Sequence, residues 1–147
     1  LAVRLNEISK VTVKEAEHGD IITKGTVYIA PGGRHLRLVK SGSETKVALS
    51  DEPPVDALRP CANVMYESLV TSPYDEIVCV VLTGMGADGT KGIKALKEHK
   101  KIYVIGQNEA TSIVYGMPRA VAEAGLVNEV KPLEEIADAI TRNTGVR

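Results

Sequence analysis

Residues 76–107 read EIVCVVLTGMGADGTKGIKALKEHKKIYVIGQ, and their rhythm changes twice. EIVCVVLT is a continuous apolar run without polar alternation, the pattern of a strand buried on both faces. GTKGIKALKEH returns apolar residues at helical spacing, and IYVIGQ is a second buried strand. Two such strands joined through a helix predict parallel pairing with a right-handed crossover. The glycine-rich junction, VLTGMGADGTKG at residues 81–92, then falls at the carboxyl end of the first strand, facing a helix N-terminus. An open parallel sheet carries its chemistry there.

On the C-terminal side come a loop NEATSIVYG, a helix MPRAVAEA stopped by Gly125, a short strand LVNEV and a helix PLEEIADAI with Pro132 at its start. On the N-terminal side, LAVRLNEI places Leu1, Leu5 and Ile8 on one helical face, as if the chain began inside a helix. From there to Ser50 the period is two: VTVKEA, TVYIAP, HLRLVK and TKVALS are separated by turn-rich breaks, which predicts a small hairpin region. DEPPVDALRP is a Pro-rich connection that places Pro60 in the first turn of a helix CANVMYESLV.

The 147 residues suit a single domain spanning 1–147, and a core without Phe or Trp must be built from Val, Ile, Leu and Ala. A net charge of −1 with no basic cluster interleaved by aromatics argues against nucleic acid as a partner. No run reaches the roughly 18 apolar residues of a membrane span, and the start lacks a signal-peptide layout, so no membrane insertion and a cytoplasmic location are expected. Cys61 and Cys79 agree with a reducing compartment. With His18, His35 and His99 scattered, the expectation is no metal and no cofactor.

The junction admits several readings. Gly84, Gly86 and Gly89 are spaced G-x-G-x-x-G, and Glu109 lies about 20 residues on, as a dinucleotide-binding module requires. Against this, Asp88 puts a carboxylate where a pyrophosphate would sit. GMGADGTKG also lacks the residue order of a phosphate-binding P-loop. The plain reading is that Asp88 caps the helix that follows. Thr111, Ser112, Tyr115 and Met117 follow a buried strand and either line a cleft or serve loop packing. Cys61 with His35 as its base would make an independent nucleophile, while the plain reading of Cys61 is a small packed residue.

VVLTGMGADGTKGIKALKEH, QNEATSIVYGMPRAVAEAGLVNEVKPLEEIADAI, YIAPGGRHLRL and the DEPPV…RP segment resemble the C-terminal catalytic domain of the bacterial chemotaxis protein-glutamate methylesterases, the CheB family. The resemblance implies a doubly wound, mainly parallel α/β sheet in three layers with an added antiparallel hairpin. It implies hydrolysis of glutamate methyl esters on methyl-accepting chemoreceptors, with deamidation of glutamines in some members, by a Ser-His-Asp triad. The triad Asp falls on Asp88, and the backbone N–H of Met85 falls beside the reacting oxyanion. Gly84, Gly86 and Gly89 complete the loop motif, and Thr83, Thr111, Ser112, Tyr115, Met117 and His35 are the candidate cleft residues. A triad Asp must be fixed and ionised, and a glycine turn at a helix N-terminus serves both needs.

The family's Ser-Thr-Gly-Gly and Gln-His-Met motifs are not in this sequence, and Cys61, Ala62 and Asn63 stand where the family has Ser-Val-Asp. The chain therefore reads as an N-terminally incomplete domain, inactive alone, whose family commonly adds an N-terminal receiver domain. Beside the esterase stand two alternatives, the dinucleotide module and a non-catalytic homologue acting as an interaction domain.

Overall fold

The computed structural model describes residues 1–145, which form two compact units, one of residues 1–73 and one beginning at Tyr74. In the first, helix α1 (Ala2–Ile8) buries no residue and leaves Leu1, Val3 and Ile8 exposed. Strands β1 (Thr12–Glu15) and β2 (Thr26–Ile29) pair with each other. Strands β3 (His35–Ser41) and β4 (Glu44–Ser50) form an antiparallel hairpin in continuous register from His35–Ser50 to Ser41–Glu44. Ala16, Leu36, Val47 and Leu49 make the core, with Ile22, Tyr28, Leu38 and Met65 against it.

The expectation of hairpins throughout residues 11–50 is corrected for the first pair, because β1 and β2 run parallel. The connection between them does not turn back at EHGD. Asp20 accepts the Glu17 N–H and the Lys14 ammonium, while its carbonyl takes the Val47 N–H, which carries the chain across β4 before it returns. Residues 51–60 are tied down by Arg59, whose guanidinium donates to the carbonyls of Asp51 and Glu52. At their tip Val55 and Leu58 exchange both backbone hydrogen bonds around Asp56 and Ala57, at φ +50° and +65°. Pro60 does not enter the helix as expected. The Arg59–Pro60 peptide is cis, Cys61 is the N-cap, and α2 (Ala62–Ser68) follows, ending in a short 3-10 turn, Leu69–Thr71.

The second unit follows the periodicity closely. Strand β5 (Glu76–Val81), helix α3 (Thr90–Lys97) and strand β6 (Lys101–Gln107) give parallel strands, and helix α4 (Gly116–Glu123) leads to β7 (Glu129–Lys131) in the order β5-β6-β7. Helix α5 (Leu133–Thr144), with Pro132 at its cap, lays Ile136, Ala139 and Ile140 over Val78, Val80, Tyr103 and Ile105. Strand alternation turns Cys79, Val81 and Val104, all buried, to the opposite face, where α3 and α4 contact the sheet and each other. This is the expected three-layer α/β/α sandwich. Gly125, at φ +74°, ends α4 as the sequence indicated.

Candidate active site

The candidate residues of the second unit gather at the carboxyl ends of β5 and β6. Beyond Val81 the chain does not leave the sheet at once. The Thr83 hydroxyl donates to the Val114 carbonyl at 3.0 Å and accepts the Val114 N–H at 2.9 Å, so one side chain imitates a strand pairing. The Gly84 N–H then donates to the Val114 carbonyl, Gly84 bridges Tyr115 in parallel, and the Met117 N–H donates back to the Gly84 carbonyl at 2.8 Å. Residues 83–84 are thereby welded to the start of α4.

Glycine is required where these segments meet. A Cβ on Gly84 would collide with the Met117 sulfur, and one on Gly116 would lie 2.9 Å from the Gly84 carbonyl oxygen and 2.9 Å from the Gly86 nitrogen. Gly86 and Gly89 have φ of +87° and +97°, left-handed conformations that L side chains rarely adopt. Just before Gly86 the chain rises to Met85, which is 85% exposed, and it then descends through half-buried Asp88 to Gly89, the N-cap of α3. The Met85 N–H donates to no group among the described residues. The turn thus presents an amide and a carboxylate at the head of a helix whose dipole favours negative charge.

The second loop, residues 108–115, is built on Asn108. Its side-chain oxygen accepts the Thr111 N–H and hydroxyl, the latter at 2.6 Å, and its carbonyl accepts the Ser112 hydroxyl at 2.7 Å. Thr111 Oγ1 also accepts the Leu133 N–H at the start of α5. The Ser112 hydroxyl is engaged inside its own loop and the Thr111 hydroxyl both there and with the start of α5, which is the packing role weighed against cleft lining. Tyr115 caps α4 and Met117 packs under Gly84, so both sit beside the turn. Ile113, 92% exposed, and the partly exposed Val114 and Leu82 join Met85 as apolar side chains on the two loops. Sequence reading missed Gly116, Asn108 and the apolar exposure. It also missed Gln107, fully buried, which links the two loops. A glycine directly before M-P-R at a helix start was the available signal for Gly116.

His35 belongs to the first unit, where it is wholly buried with Nε2 bonded to the Pro53 carbonyl at 2.9 Å, so its expected role as an exposed cleft-lining side chain is corrected. As the first residue of β3 it takes an inward position, which fixes the 51–60 connection. Cys61 is equally buried, so an accessible thiol nucleophile with His35 as base is not what this unit offers. Burial pushes the Cys79 thiol up to about 12. Among the described residues no three His, Cys, Asp or Glu side chains are grouped to hold a metal ion, and no helix is long and apolar enough to cross a membrane.

Comparison with known proteins decides the family. The family described as CheB methylesterase matches residues 1–140. The chain belongs to the CheB methylesterase family. Among CheB relatives, the protein-glutamate methylesterase/protein-glutamine glutaminase of Geobacillus kaustophilus is 43% identical over 145 residues, 99% of this chain and 42% of the relative. That of Lawsonia intracellularis is 45% identical over 139 residues, 95% of this chain and 39% of the relative. The crystal structure of the Thermotoga maritima CheB methylesterase catalytic domain superposes with a TM-score of 0.91 at 34% identity, covering 97% of this chain and 75% of that one. The chain spans about two fifths of the length of the curated CheB relatives it matches. The dinucleotide alternative is not favoured by this membership.

Proposed function

We propose that this chain is part of one methylesterase-type domain that hydrolyses glutamate methyl esters on methyl-accepting chemoreceptors and deamidates receptor glutamines. The observation that carries the reading is the 83–89 turn, where an unengaged Met85 N–H and the Asp88 carboxylate stand together at the N-terminus of α3. In this reading Asp88 is the triad carboxylate. It holds an imidazole, which the family supplies from a Gln-His-Met motif, in the tautomer that accepts a proton from the family's Ser-Thr-Gly-Gly serine, and it stabilises the imidazolium that forms. The Met85 N–H donates to the oxyanion as the ester carbonyl becomes tetrahedral. Gly84, Gly86 and Gly89 allow this geometry, and Met85, Ile113 and Val114 give the approaching side chain an apolar lip.

The catalysis needs no metal or cofactor, since attacking hydroxyl, base and oxyanion donors are all protein groups. A cytoplasmic location and a receiver domain that governs access to the site complete the proposal. Its test is methanol release from methylated receptor membranes by the complete gene product. Turnover with saturation is the expected result. A purified, folded product that releases no methanol above background, whether or not a receiver domain is present and phosphorylated, would overturn it.

A further inference from the structure

Gln107 ends β6, yet the residue is 1% exposed and both ends of its amide are hydrogen-bonded. Its Oε1 accepts the Thr83 N–H at 2.8 Å, while its Nε2 donates to the Thr111 carbonyl at 2.9 Å and to Thr111 Oγ1 at 3.2 Å. An amide is the side chain suited to this place, because one end must accept and the other must donate. We propose that Gln107 is the positioning residue of the candidate site, a buried brace that fixes the 83–86 turn, and with it the Met85 N–H and Asp88, against the 108–117 loop. The inference rests on the proposed esterase reading and extends it to a residue with no contact to the reacting atoms.

Two further observations point the same way. Among the described residues, the other hydrogen bonds to residues 83–84 come from residues 114–117, through Thr83 Oγ1, the Gly84 bridge and the Met117 N–H, so the turn is only as well placed as that segment. Gln107 reaches both loops from the end of a sheet strand. Thr111, its second partner, also takes the Leu133 N–H, which anchors the brace to α5. Without the amide, the Thr83 N–H and the Thr111 carbonyl would each lose a partner, and water would have to enter or the loops would shift. A shift near 1 Å in an oxyanion donor costs about 10²-fold in rate, while substrate affinity, set by the lip, is spared.

The test uses the complete gene product with Gln107→Met, which keeps shape and removes all three bonds, and Gln107→Glu, which keeps the acceptor and loses the donor. If Gln107→Met does not fold, Gln107→Glu carries the test. Two readouts are taken: kcat and KM for methyl-ester hydrolysis, and amide hydrogen exchange across the second unit. The expected result is a kcat reduced by about 10²-fold with KM little changed, and faster exchange confined to residues 83–87 and 111–117. Unchanged exchange there would overturn the brace, and faster exchange with wild-type kcat would reduce it to a structural bond without bearing on catalysis. A wild-type protein that does not hydrolyse the ester would bring down the esterase reading, while exchange at 83–87 would still decide whether Gln107 holds the turn.

Discussion

At the scale of single residues, Asp88 separates a catalytic site from a structural turn. Asp88→Asn keeps the shape of a side chain that lies one residue before Gly89, the N-cap of α3, so a purely structural role in the turn would be largely retained. Its amide cannot stabilise an imidazolium and selects the wrong tautomer, so in the complete enzyme kcat is expected to fall by about 10⁴-fold, as for the Asp of serine-protease triads. That corresponds to roughly 5 kcal/mol of transition-state stabilisation, well above any capping contribution. Ester hydrolysis and thermal melting measured on the same preparation check it. Intact folding with turnover reduced by orders of magnitude supports the triad role, and near-wild-type turnover leaves Asp88 only a structural place in the turn. Asp88 was legible from sequence because the motif around it is contiguous. Gln107 was not, since a glutamine closing an apolar run looks like the solvent end of a strand, and its partners Thr83 and Thr111 lie 24 residues before it and four after it.

Among the elements, the decisive contact is the start of α4 against the glycine turn. The backbone of Gly116 touches residues 84 and 86 so closely that a methyl group has no room. Because the obstructing atoms are backbone, they cannot move aside as the end of a side chain would. Gly116→Ala is expected to destabilise the second unit by about 1–3 kcal/mol, the usual cost of overpacking. It should also lower kcat by about 10²-fold as the turn is displaced. Melting curves and steady-state kinetics would show both, and an alanine variant with wild-type values in each would mean that the contact does not place the turn. Strand and helix identities in this unit were readable because periodicity is a local property. Pairing direction in the first unit was not. β1 and β2 are parallel because of bonds from Asp20 and Ile22 to β4, more than 20 residues away, which no local pattern contains.

For the molecule as a whole, the pH dependence of stability should carry the mark of one polar cluster. Hydrogen bonds from Arg142 and then Tyr103 hold the Glu129 carboxyl below its ordinary value of 4.5, with the Lys131 ammonium 3.5 Å away. A carboxyl depressed by folding stabilises the native state above its unfolded value, and that stability is lost as pH falls through the lower folded value. The bond to Glu129 and burial raise the Tyr103 hydroxyl above 10.0, so its contribution is present below that value and disappears as pH rises through the folded one. Melting temperature scanned from neutral pH downward should fall as pH passes below 4.5 and through the lower folded value of Glu129, and Glu129→Gln should flatten that limb while lowering the neutral plateau. An acid limb of unchanged steepness in the variant would assign acid unfolding to other carboxylates.

The tip at Asp56 and Ala57 has a consequence for how much stability is still available to this sequence. Two consecutive non-glycine residues occupy left-handed backbone there, in the arrangement of a two-residue hairpin turn that ordinarily selects Asn-Gly. Left-handed alanine costs roughly 1–2 kcal/mol, whereas glycine's extra freedom in the unfolded chain costs about 0.5–1 kcal/mol. Ala57→Gly should therefore stabilise the protein by about 0.5–1 kcal/mol, a rise of a few degrees in calorimetric melting for a chain of this size. No rise, or a fall, would mean that the turn is relaxed as it stands. Residue 57 is thus a place where a protein engineer, or an evolving lineage, can gain thermal tolerance through a single replacement in an exposed loop, and draw on it later for changes elsewhere that sacrifice stability for a new specificity.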